Sequence, residues 1–378
     1  MKKKYKILLT LTIVLAGLFT TGLYINNGLS NRYTDNDFDK TLTRSQQSAQ
    51  FNNGVFENAS QRQSKPNPLN IAKMMLFEKQ QPAAPLKPIS VSAMTRNQLI
   101  ELQRDYKNQG LLFFRLGHSS LLILLDGEYW LTDPIFSQRA SPFSFVGPER
   151  FHQPPLRLED LPPIKGVIIS HNHYDHLDRQ TIESLADKTE HFYTPLGVGE
   201  EIVKWGIKRE KVSQFDWWQS VKVGNTLLTA TPAQHFSGRS ASDGNQTLWS
   251  SWAVKGEQGS LFFSGDTGYS AHFKEIGEKL GPFNLSFMET GAYNKLWDDI
   301  HMFPEQAAQA HIDVKADYLI PIHNGTFDLS VHAWTDPFER IVKESDSLSL
   351  NLLTPTAGEM VRLKDLSPQT LQVNKWWQ

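Results

Sequence analysis

From Leu111 the chain runs in short, dense blocks of apolar and β-branched residues broken by turn residues, whereas between residues 26 and 110 the apolar positions are sparse or helically spaced. LLFFRLG, SLLILLDG and YWLTDP predict three successive strands of an antiparallel meander, because tight glycine-containing turns join them. Further strands are expected at VIISH, HFYTP, KVSQFD, SVKVGNTLLTATPA, LWSSWAVKG, SLFFSGD, LSFMET and YLIPIH. Helical spacing appears at TRNQLIELQRDYKNQ, AHFKEIGEKL and PEQAAQAHI, the last with Pro304 at a natural first helical position. This order fits two sheets packed face to face with helices on both outer faces, an α/β (α+β) class.

The N-terminal pattern is different. Ile7 to Ile25 is an uncharged run long enough to cross a bilayer, and Lys2, Lys3, Lys4 and Lys6 precede it, which predicts a signal anchor over residues 1–25 with the rest of the chain exported to the periplasm or exterior. A cleaved secretory signal is the alternative, with Thr20 and Gly22 as a small-x-small site. Residues 26–88, rich in Asn, Ser and Gln, read as a polar linker with little ability to pack. Within it Ile71, Met74, Met75 and Phe77 form an apolar stripe that a helix would turn either to the domain or to lipid, the domain being the commoner case. Residues 89–378 are expected to form one folded domain.

Between one strand and one helix lies HNHYDHLD, His171 to Asp178, where KGVIIS reads as a buried strand and Asp178 as the N-cap of the helix that follows. On an extended segment side chains alternate, so His171 and His173 point the same way and can share one cation, while Asp175 and His176 can reach a second where the chain turns. Cysteine is absent, so any metal must be held by nitrogen and oxygen, and thiolate chemistry and disulfides are excluded. The formal net charge of -2 gives no footprint for nucleic acid. A two-metal site needs about seven protein ligands, and His235, Asp266 and His323 each stand where a strand-like run meets a loop.

The signature His171, His173, Asp175, His176 resembles that of the metallo-β-lactamase superfamily, and within it the N-acylphosphatidylethanolamine-hydrolysing phospholipase D group. LTDPIFSQRASPFSFVGPERF, LPPIKGVIISHNHYDHLD, the DWW at Asp216, LWSSWAV, FFSGDTGY and IHNGTF resemble that group in order, over roughly Leu112 to Phe327. The resemblance implies an αββα four-layer sandwich and two Zn2+ ions, the first held by His171, His173 and His235, the second by Asp175, His176 and His323, with Asp266 bridging. It implies a phospholipid substrate cleaved to N-acylethanolamine and phosphatidic acid by a hydroxide bridging the metals, with Asp175 and Asp266 in the reacting centre.

His301, in HMFPEQA, falls on a substrate-site segment by the same resemblance and is expected near the leaving oxygen or phosphate; a surface histidine before a helix is the competing reading. His118 is expected to orient groups near the metals. Trp217, Trp218, Trp249 and Trp252 read first as packing and second as an acyl groove, and Tyr269 and Tyr293 as substrate contacts. AQHF, HMFPEQA and IHNGTF depart from the group's SQHW, HVDPEEA and IHWGTF, which changes the surroundings at Phe236, Phe303 and Asn324. A metal-dependent lactonase or β-lactam hydrolase is the enzymatic alternative, and a non-catalytic zinc-binding membrane protein the other. A homodimer is compatible with the sequence.

Overall fold

The computed structural model describes residues 44–62, 67–369, 371 and 373–378. The meander forms as expected, with β3 (Leu112–Gly117), β4 (Ser120–Leu125) and β5 (Glu128–Thr132) antiparallel, continued in parallel by β6 (Ile164–Ile168), β7 (Thr189–Pro195) and β8 (Val212–Phe215). With β16 (Met360–Arg362) at the other edge of β3, these strands make a seven-stranded sheet. The second sheet, also seven-stranded, runs from β9 (Ser220–Val223) through β10 (Thr226–Thr231), β11 (Ser251–Gly256), β12 (Gly259–Phe263), β13 (Phe283–Glu289) and β14 (Ala316–Ile322) to β15 (Asn351–Leu352).

Strand alternation explains the four layers. On β3 and β4, Phe113, Leu121, Ile123 and Leu125 face the second sheet and meet Trp252, Val254, Phe263 and Phe287, and the Phe113 ring stands edge-on to Phe287 at 4.8 Å. Leu112, Phe114, Leu122 and Leu124 point the other way, onto α2 (Arg96–Arg104), α4 (Arg179–Leu185) and α5 (Val198–Lys204). Phe262, Met288 and Leu319 of the second sheet likewise pack under α6 (His272–Lys279), α7 (Pro304–Asp313) and α8 (Asp336–Leu348). Both faces of the central strands of each sheet are thus buried, which is why they read as continuous apolar runs, while the edge strand β9 alternates and is partly exposed.

The expected helix after Met94 is two helices. Thr95 and Gln98 close a capping box at its start, but Asp105 leaves helical geometry and its carboxylate accepts from the Asn108 and Gln109 amides, so α3 (Tyr106–Gln109) begins anew. Such local side-chain competition with the backbone is characteristic of aspartate.

Residues 44–62 differ from the expected linker. They form a strap in which β1 (Phe51–Asn52) and β2 (Val55–Phe56) make a hairpin, and Phe56 is fully buried against Leu196, Trp217, Ala233, Leu248 and Trp249. Average polarity hid two aromatic anchors, Phe51 and Phe56, and an asparagine, Asn58, whose amide takes over backbone hydrogen bonds of the domain. In α1 (Pro68–Phe77) the apolar stripe is split: Met74 is buried and Ile71 and Met75 half-buried, while Phe77 is 77% exposed. Among the described residues no helix is long and apolar enough to cross a membrane, and the run Ile7 to Ile25 lies outside them.

Truncating Phe113 removes a ring at the seam of both sheets. Phe113→Ala is expected to cost about 3–5 kcal/mol of unfolding free energy in urea titration; a cost below about 1 kcal/mol would mean that the seam does not hold the sheets together.

Candidate metal centre

The centre is assembled from loops at one end of both sheets. After β6 the chain turns through Ser170 and His171 into a helical turn, where His176 N–H and Leu177 N–H both donate to the His173 carbonyl. Asn172 pins this loop by donating to Glu201 and accepting from Gly238 N–H, and Arg239 donates to the carbonyls of Asn172 and Leu177 while lying over the Tyr174 ring. Asp178 stands at the N-cap position of α4 but does not cap it; its carboxylate accepts from Ser137 N–H and the Thr181 hydroxyl, tying the loop to the segment after β5.

From the second sheet, His235 follows β10, Asp266 follows β12 and His323 follows β14. Two glycines permit the approach: a Cβ on Gly265, whose φ is +60°, would lie 2.6 Å from that of Ser170, and one on Gly291 would lie 1.8 Å from the His323 carbonyl oxygen. His118, Asp133 and His323 all hold positive φ values of 53°, 34° and 63°. Non-glycine residues in this region cost about 1–3 kcal/mol each and cluster at sites where the surroundings over-determine them.

Seven side chains meet here in two groups. In the first, His171 Nε2 and His235 Nε2 lie 2.9 and 3.2 Å from His173 Nδ1. In the second, His323 Nε2 lies 3.2 Å from Asp175 Oδ2, and His176 Nε2 3.5 Å from the same oxygen. Asp266 Oδ2 stands between the groups, 3.0 Å from both His176 Nε2 and His323 Nε2 and 3.7 and 3.9 Å from His171 Nε2 and His235 Nε2. Its other oxygen is buried and has no hydrogen-bond partner.

Hydrogen bonding on the far side of each ring decides what these nitrogens can do. His235 Nδ1 donates to the Ile300 carbonyl, and the Ser170 hydroxyl, which gives its own proton to Asp133, accepts from His171 Nδ1. His176 Nδ1 donates to Asp133 Oδ2 at 2.7 Å. The Nε2 atoms of His171 and His235 therefore present lone pairs to the centre, which cannot bond to one another, while His176 Nε2 faces the carboxylate oxygens of Asp266 and Asp175. Donors about 2.0–2.1 Å from one tetrahedral ion would lie roughly 3.3 Å apart, close to the spacings found, so the residues fit metal ions.

The electrostatics agree. Burial, reinforced by neighbouring rings, holds His171 and His235 well below the usual imidazole range, and burial brings His173 down to about 4, so the first group is neutral as metal binding requires. Burial also opposes charge in the second group but loses: Asp266 and Asp175 raise His176 well above its ordinary value and His323 to about 10, while His176 keeps both carboxylates well below theirs. Here the pocket favours positive charge lying between these nitrogens and oxygens.

His301 stands beside the centre, its ring 5.1 Å from that of His235 and stacked at 5.4 Å on His323, with Nδ1 in close contact with Glu289. His118 Nε2 lies 3.1 Å from Asp175 Oδ2, where it orients that carboxylate. Asp133 and Glu289 were not singled out from sequence; their one signal is an acidic residue at or just beyond the end of an apolar strand, YWLTD and LSFME. The tryptophans pack: Trp217, Trp249 and Trp252 are buried and donate to the carbonyls of Trp249, Ala233 and Ile169. The Tyr269 and Tyr293 hydroxyls are engaged by Asp313 and Asp336. Asn324 is buried in a network with Arg115 and Thr290.

An αββα sandwich with a His and Asp cluster at the end of its sheets defines a metal-dependent hydrolase class, and residues 129–324 match the model of the Beta-lactamase superfamily domain. The chain belongs to the metallo-β-lactamase superfamily, near the phospholipases D that hydrolyse N-acylphosphatidylethanolamine. It is 33% identical over 343 residues to N-acyl-phosphatidylethanolamine-hydrolyzing phospholipase D 1 of Caenorhabditis elegans, covering 86% of this chain and 93% of that one. A Mycobacterium tuberculosis protein described as uncharacterized is 42% identical over 265 residues, 69% of this chain and 70% of its own. Among solved structures, the metallo hydrolase Igni18 of Ignicoccus hospitalis shares the fold with a TM-score of 0.51 at 21% identity, over 66% of this chain and 97% of that one.

Because Asp133 fixes the orientation of His176, Asp133→Ala is expected to weaken metal affinity about 10–100-fold while leaving the fold intact. Competition with a chelating dye, alongside circular dichroism, measures this; unchanged affinity would show that His176 needs no carboxylate behind it.

Proposed function

We propose that this metal-dependent hydrolase is a phosphodiesterase that cleaves N-acylphosphatidylethanolamine-type phospholipids to N-acylethanolamine and phosphatidic acid, with two Zn2+ ions as the resident metals. One observation carries the two-metal reading: Asp266 Oδ2 is within 3.0–3.9 Å of histidine nitrogens from both donor groups, so a single carboxylate serves both. The substrate class rests on the likeness to the nematode phospholipase over nearly its whole length. His171, His173 and His235 would hold the first ion, and Asp175, His176 and His323 the second.

Bound ions of this kind lower the pKa of water toward neutrality and stabilise charge on an attacked phosphoryl group. The chain supplies the rest. Asp133, Ser170 and the Ile300 carbonyl lock the tautomers of three ligands, and His118 steadies Asp175. Water adds to phosphorus, the bond from phosphorus to the ethanolamide oxygen breaks, and His301 protonates that oxygen, a poor leaving group as an alkoxide. The run Ile7 to Ile25 we assign to a membrane anchor that keeps the exported domain close to its substrate.

Two variants and one panel test this reading. Asp266→Asn keeps the shape but weakens the anionic bridge, and hydrolysis is expected to be lost; normal turnover at full metal loading would refute the bridging role. His301→Ala is expected to retain both ions and lose about 10²–10⁴-fold in rate, and loss of metal would make it a ligand instead. Incubation of the zinc-loaded protein with phosphodiester lipids, lactones and β-lactams should show turnover of the N-acylated lipid; turnover confined to lactones or β-lactams would make it an acyl hydrolase.

A further inference from the structure

Glu289 is the one fully buried carboxylate at the centre to which the proposed function gives no role. It ends β13, has no exposed surface, and its Oε2 accepts from Thr267 N–H at 2.7 Å, the residue that follows Asp266. Its Oε1 is in hydrogen-bond contact with His301 Nδ1 and 3.8 Å from His323 Nδ1, a buried nitrogen with no hydrogen-bond partner. One carboxylate oxygen therefore lies between an imidazole of the second donor group and the imidazole beside it. Burying a carboxylate costs several kcal/mol, and the apolar strand leading to it offers no structural gain that an uncharged residue would not.

We infer that Glu289 is the positioning residue for His301: it commits Nδ1 of that ring, fixes the ring plane over the metal centre, and leaves Nε2 as the nitrogen that gives its proton to the departing oxygen. This rests on the phosphodiesterase reading above. A carboxylate behind an imidazole does two things in such a pair. It selects which nitrogen faces the substrate, and it removes the rotational freedom that would otherwise carry the ring away from a near-attack geometry. The stacking of His301 on His323 at 26° between planes holds the second face of the ring, so Glu289 and His323 together leave it one orientation.

The step balances without a further reactant. The reacting ring carries both protons, Nδ1–H held on the Glu289 carboxylate: water loses a proton as its oxygen bonds to phosphorus, the bond to the leaving oxygen breaks with its electron pair going to that oxygen, and Nε2–H protonates it. The proton released from water restores the ring.

The test compares two phosphatidyl diesters that differ only in their leaving group, one releasing an N-acylethanolamine and the other p-nitrophenol, whose anion leaves without protonation. For Glu289→Gln, kcat on the first is expected to fall about a hundredfold, within the range of a lost proton donor, and on the second by less than about threefold, with both metal ions retained. His301→Ala should show the same split, and the double variant should be no slower than His301→Ala alone, because the two groups act as one unit. Equal losses on both diesters, an additive double variant, or loss of metal from Glu289→Gln would each overturn the inference, the last by showing that the carboxylate acts through His323. Failure of the wild-type protein on both diesters would instead overturn the phosphodiesterase reading, and this inference with it.

Discussion

His171 Nε2 and His235 Nε2, their outer nitrogens already committed to hydrogen bonds, both point lone pairs at His173 Nδ1 from 2.9 and 3.2 Å, and that arrangement favours a cation among the three rings. Without it, His173 Nδ1 can donate to only one of the two, which leaves a buried acceptor unpaired at a cost of about 1–3 kcal/mol. Much of the molecule serves to hold this geometry. Asp133 sits at the end of β5 in a left-handed conformation so that its two oxygens can take Ser170 N–H, the Ser170 hydroxyl and His176 Nδ1 at once. The strap brings Asn58 across the domain to pair with both backbone groups of His235. Strain at His118, Asp133 and His323 persists because the sheets behind them are packed on both faces, and metal binding returns free energy to the fold that carries it.

Most of the architecture was legible because burial on both faces makes each strand a dense apolar run bounded by turn residues, a pattern that survives in a single sequence. The strands from Leu112 to Ile322 form where the runs are, and the structure brings together His171, His173, Asp175, His176, His235, Asp266 and His323, each at or near the end of a strand. What was not legible depends on partners distant in sequence. Asp133 lies 43 positions from His176, and Glu289 lies 12 from His301, and neither spacing has a local signature. The strap has no compositional signal because two phenylalanines in a polar stretch are too few to shift its average, yet one of them fills a complete apolar niche. Asp178 occupies its expected position with a different partner, since a cap and a bond to a neighbouring loop look alike in sequence.

The departures from the phospholipase pattern have physical consequences that differ in kind. At Asn324 an amide replaces an indole beside a ligand, and it is satisfied by Arg115, Thr290 and the Ile322 carbonyl, so the change is absorbed into a buried polar network that supports the His323 loop. At Phe236 the ring packs on His173 and His235, with the Arg62 guanidinium over its outer face, and so places apolar surface and a cation from the strap against the first donor group. Both substitutions keep the donors in place while changing what surrounds them.

Anomalous diffraction from crystals of the zinc-loaded protein tests the central claim most directly. The account predicts two peaks, one among His171, His173 and His235 and one among Asp175, His176 and His323, with the Asp266 carboxylate between them. A single peak, or none near Asp266, would contradict it.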